Sequence, residues 1–221
     1  MPSQTIDIRQ DLRAERLRAA EAFRQRMTAA GTFVVRLLSS PGAGKTTLLQ
    51  KTAEILTRSF SVGILVGDVE TERDAERLAP YAPSIQITTG GACHLELPLV
   101  ERALPKLGSQ AWDFLFIEDV GNLICPASHE LGEHLRVILL SATEGDDKPG
   151  KYPKAFRTSQ AVVLSKTDLL PYVPFSLQKA EADARLVRSD LTFFALSALR
   201  DEGVDAWCDF LQQCRTAVLI V

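Results

Sequence analysis

Residues 33–47 read Phe-Val-Val-Arg-Leu-Leu-Ser-Ser-Pro-Gly-Ala-Gly-Lys-Thr-Thr. A strand over Phe33–Leu38 runs into a glycine-containing loop, and a helical pattern continues from Thr46 to Arg58. Strand, loop and helix in that order are the setting a phosphate-binding loop requires. Gly42 and Gly44 allow backbone N–H groups to converge on phosphate oxygens, so Gly42, Ala43, Gly44 and Thr47 are candidate nucleotide-binding positions. Lys45 neutralises β/γ-phosphate charge, the Thr46 hydroxyl is the expected Mg²⁺ ligand, and the helix N-terminus adds a favourable dipole. Ser39 stands where the motif usually has its first glycine.

From Thr32 onward strands and helices alternate. Predicted strands are Phe33–Leu38, Val62–Val66, Ile85–Thr88, Phe114–Ile117, Arg136–Leu140, Ala161–Leu164 and Thr192–Leu196. Predicted helices are 46–58, 71–78, 95–107, 176–188 and 204–218. Near-continuous apolar strands separated by helices predict an α/β fold of the P-loop NTPase type, a mostly parallel sheet of about seven strands flanked by helices. Residues 7–29 form a lead-in helix with a thin apolar stripe of Leu12, Ala20, Phe23 and Met27. The expected division is an N-terminal helix over 1–31 and a nucleotide-binding domain over 32–221. Thr143–Tyr152 is the most loop-like internal segment.

The chain has 221 residues, 46% hydrophobic and 24% charged, with a net charge of −3. No basic block suggests nucleic acid, no apolar run spans a bilayer, and charges run through residues 1–30 as in no signal peptide. A cytoplasmic protein is expected. Its four cysteines, Cys93, Cys125, Cys208 and Cys214, suit metal binding better than a disulfide framework.

Acids follow two strands. Glu118 and Asp119 end the Phe114–Ile117 strand and point to opposite faces, so the pattern leaves open which one faces Mg²⁺. Asp68 follows Val62–Val66 and is placed to orient an attacking water or a Mg²⁺-bound water, or to cap the next helix. Lys45, Asp68 and Glu118 are thus the candidate catalytic residues. Gly121, just beyond the acids, is a candidate γ-phosphate contact. Ser165-Lys166-Thr167-Asp168 resembles the guanine-reading Asn-Lys-x-Asp of GTPases, with Ser165 replacing the Asn. The Asp168 carboxylate would accept from guanine N1 and N2, Lys166 would lie along the purine, and Ser197-Ala198 would supply a backbone contact to the guanine oxygen.

Gly90-Gly91-Ala92-Cys93-His94 lets an adjacent Cys and His converge on a glycine-freed loop, and Cys125 can add a second sulfur. Two thiolates and an imidazole suit Zn²⁺ and also Ni²⁺; the alternative is two small buried thiols. His129 and His134 read as loop or solvent-facing histidines without ligand roles. Cys208 and Cys214 read as structural.

The stretches SSPGAGKTTLL, GDVETERDAERL, TTGGACHLE, FIEDVGNLICPAS, LGEHLRVILLSATEGDDKP and KTDLLPYV together resemble the HypB family, the nickel-incorporation GTPases of nickel–iron hydrogenase maturation. The resemblance implies GTP/GDP and Mg²⁺ as cofactors, slow regulatory hydrolysis, and a Ni²⁺ or Zn²⁺ site of Cys93, His94 and Cys125 near a homodimer interface. It implies nickel release to a HypA-type metallochaperone or the hydrogenase large subunit. Urease accessory GTPases are similar but place a proline between Cys and His; a zinc-bridged dimerisation module is a further alternative. Residues 1–32 hold no Cys or His, so the N-terminal nickel motif of many members is not expected. Asp119 stands where the family usually has Asn, adding charge at the switch. Lys148 and Lys151 are expected to reach phosphates across a dimer, and Leu169–Val173 packs either at that interface or in the core.

Overall fold

The computed structural model describes residues 8–68, 73–108 and 111–219, with side chains from residue 12. Seven parallel strands form one sheet in the order β3-β2-β4-β1-β5-β6-β7. They are β1 (Phe33–Ser39), β2 (Val62–Asp68), β3 (Ser84–Thr88), β4 (Phe114–Glu118), β5 (Leu135–Ser141), β6 (Ala161–Ser165) and β7 (Thr192–Ala195). Each expected strand is present, most of them extended by a residue or two.

The two-residue period of the strands assigns each side chain to a layer. Val35 and Leu37 of β1, Phe114 and Phe116 of β4, and Val137 and Leu139 of β5 pack on one face. That face is covered by α2 (Lys45–Leu56), α3 (Arg73–Leu78) and α8 (Val204–Leu219), whose Trp207 is fully buried. The other face divides in two. Val34, Leu65, Leu115 and Ile117 meet α1 (Ile8–Ala29) and α4 (Leu97–Ala103). Ile138, Leu140, Val162 and Leu164 meet α6 (Pro153–Thr158) and α7 (Leu177–Val187).

Helix α1 docks through Ala20, Phe23 and Met27. Leu12, expected on the same stripe, is 50% exposed, so the packed portion is the last three turns. The docking is close: a Cβ on Gly132 would lie 2.4 Å from the Ala20 carbonyl oxygen, and only glycine fits there. The expected helix over 95–107 is shorter than its apolar pattern. Pro98 lies in its first turn, and a 3₁₀ turn, Leu104–Leu107, carries Pro105. The segment 143–152, expected as loop, includes α5 (Lys148–Lys151); Pro149 in its first turn satisfies helix geometry without an N–H. Among the described residues no helix is long and apolar enough to cross a membrane.

After β4 the chain crosses beneath β1 to β5, so the loops following β1, β2 and β4 diverge at the carboxyl ends of the central strands. Open α/β sheets place their ligand crevices at such a point.

Candidate functional site

A cleft of about 480 Å³ lies there, lined by Gly42, Lys45, Thr46, Asp68, Glu118 and Gly121 among others. Gly42 and Gly44 have φ of 74° and 95°, the left-handed conformation that turns the loop around an anion. Lys45 is buried and its Nζ donates to Ser39 Oγ at 2.8 Å. The residue replacing the motif's first glycine therefore anchors the lysine.

Parity resolves the acid pair. Glu118 shares the face of Phe114 and Phe116, toward α2, and its Oε1 accepts from Thr46 Oγ1 at 3.0 Å. Burial raises its carboxyl to about 7, and its Oε2 is buried with no hydrogen-bond partner. An orphaned carboxylate oxygen beside a threonine hydroxyl at a phosphate-binding loop fits a hard cation such as Mg²⁺. Asp68 ends β2, half-buried, on the same cleft. The alternative that it caps the next helix falls on residues 69–72, outside the described residues.

At the far end of the cleft, Lys166 adopts φ 59° and its Nζ donates to the Gly42 carbonyl at 2.7 Å. Ser165 Oγ donates to the Ala43 carbonyl at 2.6 Å, so this short side chain still ties its loop to the phosphate loop. Ser197 Oγ donates to Asp168 Oδ1 at 2.6 Å. Ala198 follows Ser197 directly beyond β7 and packs against the core. The loops after β6 and β7 are thereby joined into one rim.

The metal candidates also converge. Ligand atoms of Cys93, His94 and Cys125 all lie within 4.8 Å of one another. Gly90 and Gly91, with φ of 63° and 101°, provide the turn that lets sequential Cys93 and His94 face one point. Cys93 Sγ lies 3.8 Å from His94 Nδ1. A hydrogen bond with Cys125, then burial, raises the Cys93 thiol, while burial and the nearby His129 lower His94. Cys208 is buried away from this site, and burial pushes its thiol up to about 12, as for an inert core residue.

Two contacts join the sites. A Cβ on Gly121 would lie 3.0 Å from the Pro41 N and Cα atoms, so the loop after β4 rests on the phosphate loop. The next residue, Asn122, donates from Nδ2 to the Cys93 carbonyl at 3.3 Å. One residue pair thus touches both the nucleotide cleft and the thiol loop.

Asp119 corrects the expectation of added charge at the switch. It points to the opposite face, fully buried, where Arg36 pairs with its Oδ2. Its Oδ1 accepts from the backbone N–H of Leu95 at 3.0 Å and of Val120 at 2.8 Å. Its negative charge is neutralised and ties β4 to the residue after His94. Arg36 and Arg136 are register neighbours on β1 and β5, both buried. Two adjacent guanidiniums need carboxylates, which Asp119, Glu133 and Glu130 supply. Burial alone would raise the Glu133 carboxyl, but Arg36 and Arg136 overcome it and hold it at about 2. Both arginines also donate to the His129 carbonyl. The cluster therefore grips both loops that carry the candidate ligands, at Leu95 and at His129.

In the single chain Lys148 Nζ donates to Ser40 Oγ of its own phosphate loop at 3.2 Å. Lys151 pairs with Asp147 at 2.6 Å and is mostly exposed. Leu170 and Val173 pack on the core whereas Tyr172 is 80% exposed, so that run has both characters. His134 is no solvent-facing histidine: Nδ1 accepts from the Val34 N–H at 2.8 Å, and the ring stacks on Phe33.

The CobW/HypB/UreG nucleotide-binding domain matches residues 33–195. The hydrogenase maturation factor HypB of Azotobacter chroococcum is 43% identical over 218 residues, covering 98% of this chain and 72% of that protein. This chain belongs to the HypB family. A Helicobacter hepaticus relative, a hydrogenase/urease maturation factor HypB, is 43% identical over 93% of this chain and 84% of its own. The crystal structure of HypB from Helicobacter pylori in complex with nickel superposes with a TM-score of 0.86 at 36% identity, covering 92% of this chain and 96% of that one.

Within this HypB-family chain, sequence reasoning passed over Arg36, Glu133 and Arg136. Their signal was available: charged residues inside or beside apolar strands need buried partners of opposite sign. It also passed over Arg77 and Asp74 on α3, which line the cleft, and over the stacking of the His129 ring on His94 at 3.8 Å.

Proposed function

We propose that this chain is a GTPase that carries nickel for hydrogenase maturation, with nucleotide state governing how tightly the metal is held. The observation that carries the reading is the Gly121–Asn122 pair, seated on Pro41 and bonded to the Cys93 carbonyl. Movement of this loop toward a γ-phosphate would displace the thiol loop with it.

The residue roles follow from the chemistry. Lys45 and the amides of Gly42, Ala43, Gly44 and Thr47 bind the phosphates. Thr46 and Glu118 would hold Mg²⁺, with Asp68 acting through water; the ion would supply charge neutralisation between the β- and γ-phosphates. Asp68 orients the attacking water, and Gly121 donates its N–H to the γ-phosphate. Asp168 reads guanine N1 and N2, Lys166 braces the purine face, and the Ser197–Ala198 backbone meets the guanine oxygen. Cys93, His94 and Cys125 hold Ni²⁺, or Zn²⁺ in the alternative of a metal-bridged dimerisation module.

In this reading the segment 1–31, of which Ile8–Ala29 is the described helix α1 and 1–7 lie outside the described residues, precedes a GTP-binding domain of residues 32–221. The working unit is a cytoplasmic homodimer that passes nickel to a HypA-type metallochaperone or to the hydrogenase large subunit. The Helicobacter hepaticus relative has urease in its name as well, so delivery toward a urease is the second reading.

The test uses purified, nickel-loaded protein with GTP, ATP or a non-hydrolysable GTP analogue. Phosphate release is expected from GTP at least about tenfold faster than from ATP, with nickel passing to a chelator faster under GTP than under the analogue. Lys45→Ala is expected to lose both. Equal use of ATP, or equal nickel release with the analogue, would contradict the reading.

A further inference from the structure

His94 presents its two nitrogens to two different donor sets. Nδ1 faces Cys93 Sγ, while Nε2 lies 3.7 Å from Glu96 Oε1 and is buried without a hydrogen-bond partner. Beside it, the His129 ring stacks on His94 at 3.8 Å with a 24° tilt. Ligand atoms of His94, Glu96 and His129 all lie within 4.8 Å of one another. His129 Nδ1 donates to the Cys125 carbonyl at 2.9 Å, which leaves Nε2 with its lone pair. A backbone carbonyl on one nitrogen is the common way to orient a histidine ligand.

A cationic group already sits beside these donors. The Arg16 guanidinium reaches from α1 to within 3.5 Å of His129 Nε2 and 3.8 Å of Glu96 Oε1. Its side chain is 62% exposed, so it can swing away at little cost. Glu96 and His129 line a groove of about 700 Å³ between α1 and the segments around them.

We propose that His94, Glu96 and His129 form a second divalent-cation station of nitrogen and oxygen donors, which takes the ion from the thiolates at the opposite nitrogen of His94 and opens it to the α1 groove. The proposal rests on the thiolate reading above for its metal class. A neutral imidazole lends one nitrogen at a time because the other keeps its proton. As the ion crosses, the thiolate bonds break, bonds to Glu96 and His129 form, and the His94 ring proton moves from Nε2 to Nδ1. No electrons are transferred. Imidazole and carboxylate hold Ni²⁺ less tightly than two thiolates with an imidazole, which suits a point of departure.

The test is Ni²⁺ binding to the whole purified chain, by chelator competition and by the sulfur-to-nickel absorption band. Cys93→Ala/Cys125→Ala is expected to keep a weaker site without that band, and adding His129→Phe is expected to weaken it at least about tenfold further. In the intact chain His129→Phe should leave the band unchanged and slow nickel release to a chelator. Arg16→Ala, on an exposed helix face, should tighten binding in the cysteine variant. The station is overturned if His129→Phe has no effect in the cysteine variant. It is also overturned if His129→Phe weakens the sulfur band, which would make His129 a ligand of the thiolate site. Absence of a sulfur band in the unmodified chain, with His129-dependent binding intact, would instead defeat the thiolate reading alone.

Discussion

Arg36→Met is expected to destabilise the fold by about 3–5 kcal/mol, the usual cost of breaking a buried ion pair from one side. For a chain of this size that lowers Tm by roughly 10 °C. Arg36 is fully buried between Asp119 and Glu133, and it donates to the His129 carbonyl. Methionine fills similar volume but leaves Asp119 with only its two backbone donors and Glu133 with one guanidinium. Adding Asp119→Asn removes the stranded charge while keeping an oxygen for the Leu95 N–H. The double variant should therefore recover part of the loss, a coupling measurable as a double-mutant cycle. Thermal unfolding checks it. A loss under about 1 kcal/mol in Arg36→Met would show that water reaches the cluster and that it does not organise the two loops that carry the candidate ligands.

The second large effect concerns the base. Asp168→Asn is expected to lower GTP affinity roughly a hundredfold or more, because a site built to bond a substrate's donors rejects the mismatched partner strongly. The geometry makes the outcome directional. Ser197 Oγ donates to Asp168 Oδ1, so the asparagine carbonyl is held toward Ser197 and its NH₂ is turned to the base. That NH₂ repels guanine N2–H but donates to an oxygen at the same place. Xanthosine triphosphate carries that oxygen, and its affinity should rise as that of GTP falls. Competition against a fluorescent guanine nucleotide measures both. GTP affinity within threefold of the unmodified chain would remove Asp168 from base recognition.

The sheet was legible because its strands are short apolar runs bounded by turn residues. The phosphate loop was legible because its chemistry is local, a short loop between β1 and α2. What escaped was non-local. Whether Glu118 or Asp119 faces the phosphates depends on which face carries α2, and no feature of β4 records that. The Arg36–Asp119 pair joins residues 83 apart in sequence, so a charge inside an apolar strand signals a partner without naming it. His129 looked bland because three residues separate it from Cys125, and those three, the 3₁₀ turn Pro126–Ser128, bring its ring back against His94. The stretch 143–152 read as loop; folded in part as α5, it brings Lys148 to the Ser40 hydroxyl of the phosphate loop.

These particulars support the proposed coupling between nucleotide and metal. Asn122 bonds to the loop of Cys93, Asp119 holds the N–H beyond His94, and Cys125 follows three residues after Asn122. The direct measurement is the Ni²⁺ affinity of the Cys93–His94–Cys125 site with GDP bound and with a non-hydrolysable GTP analogue bound. The expected result is a difference of about tenfold, with nickel shifting the GDP-to-analogue preference by the same factor, as linkage requires, and with Cys125→Ala abolishing both. Equal nickel affinity in the two nucleotide states would contradict the account.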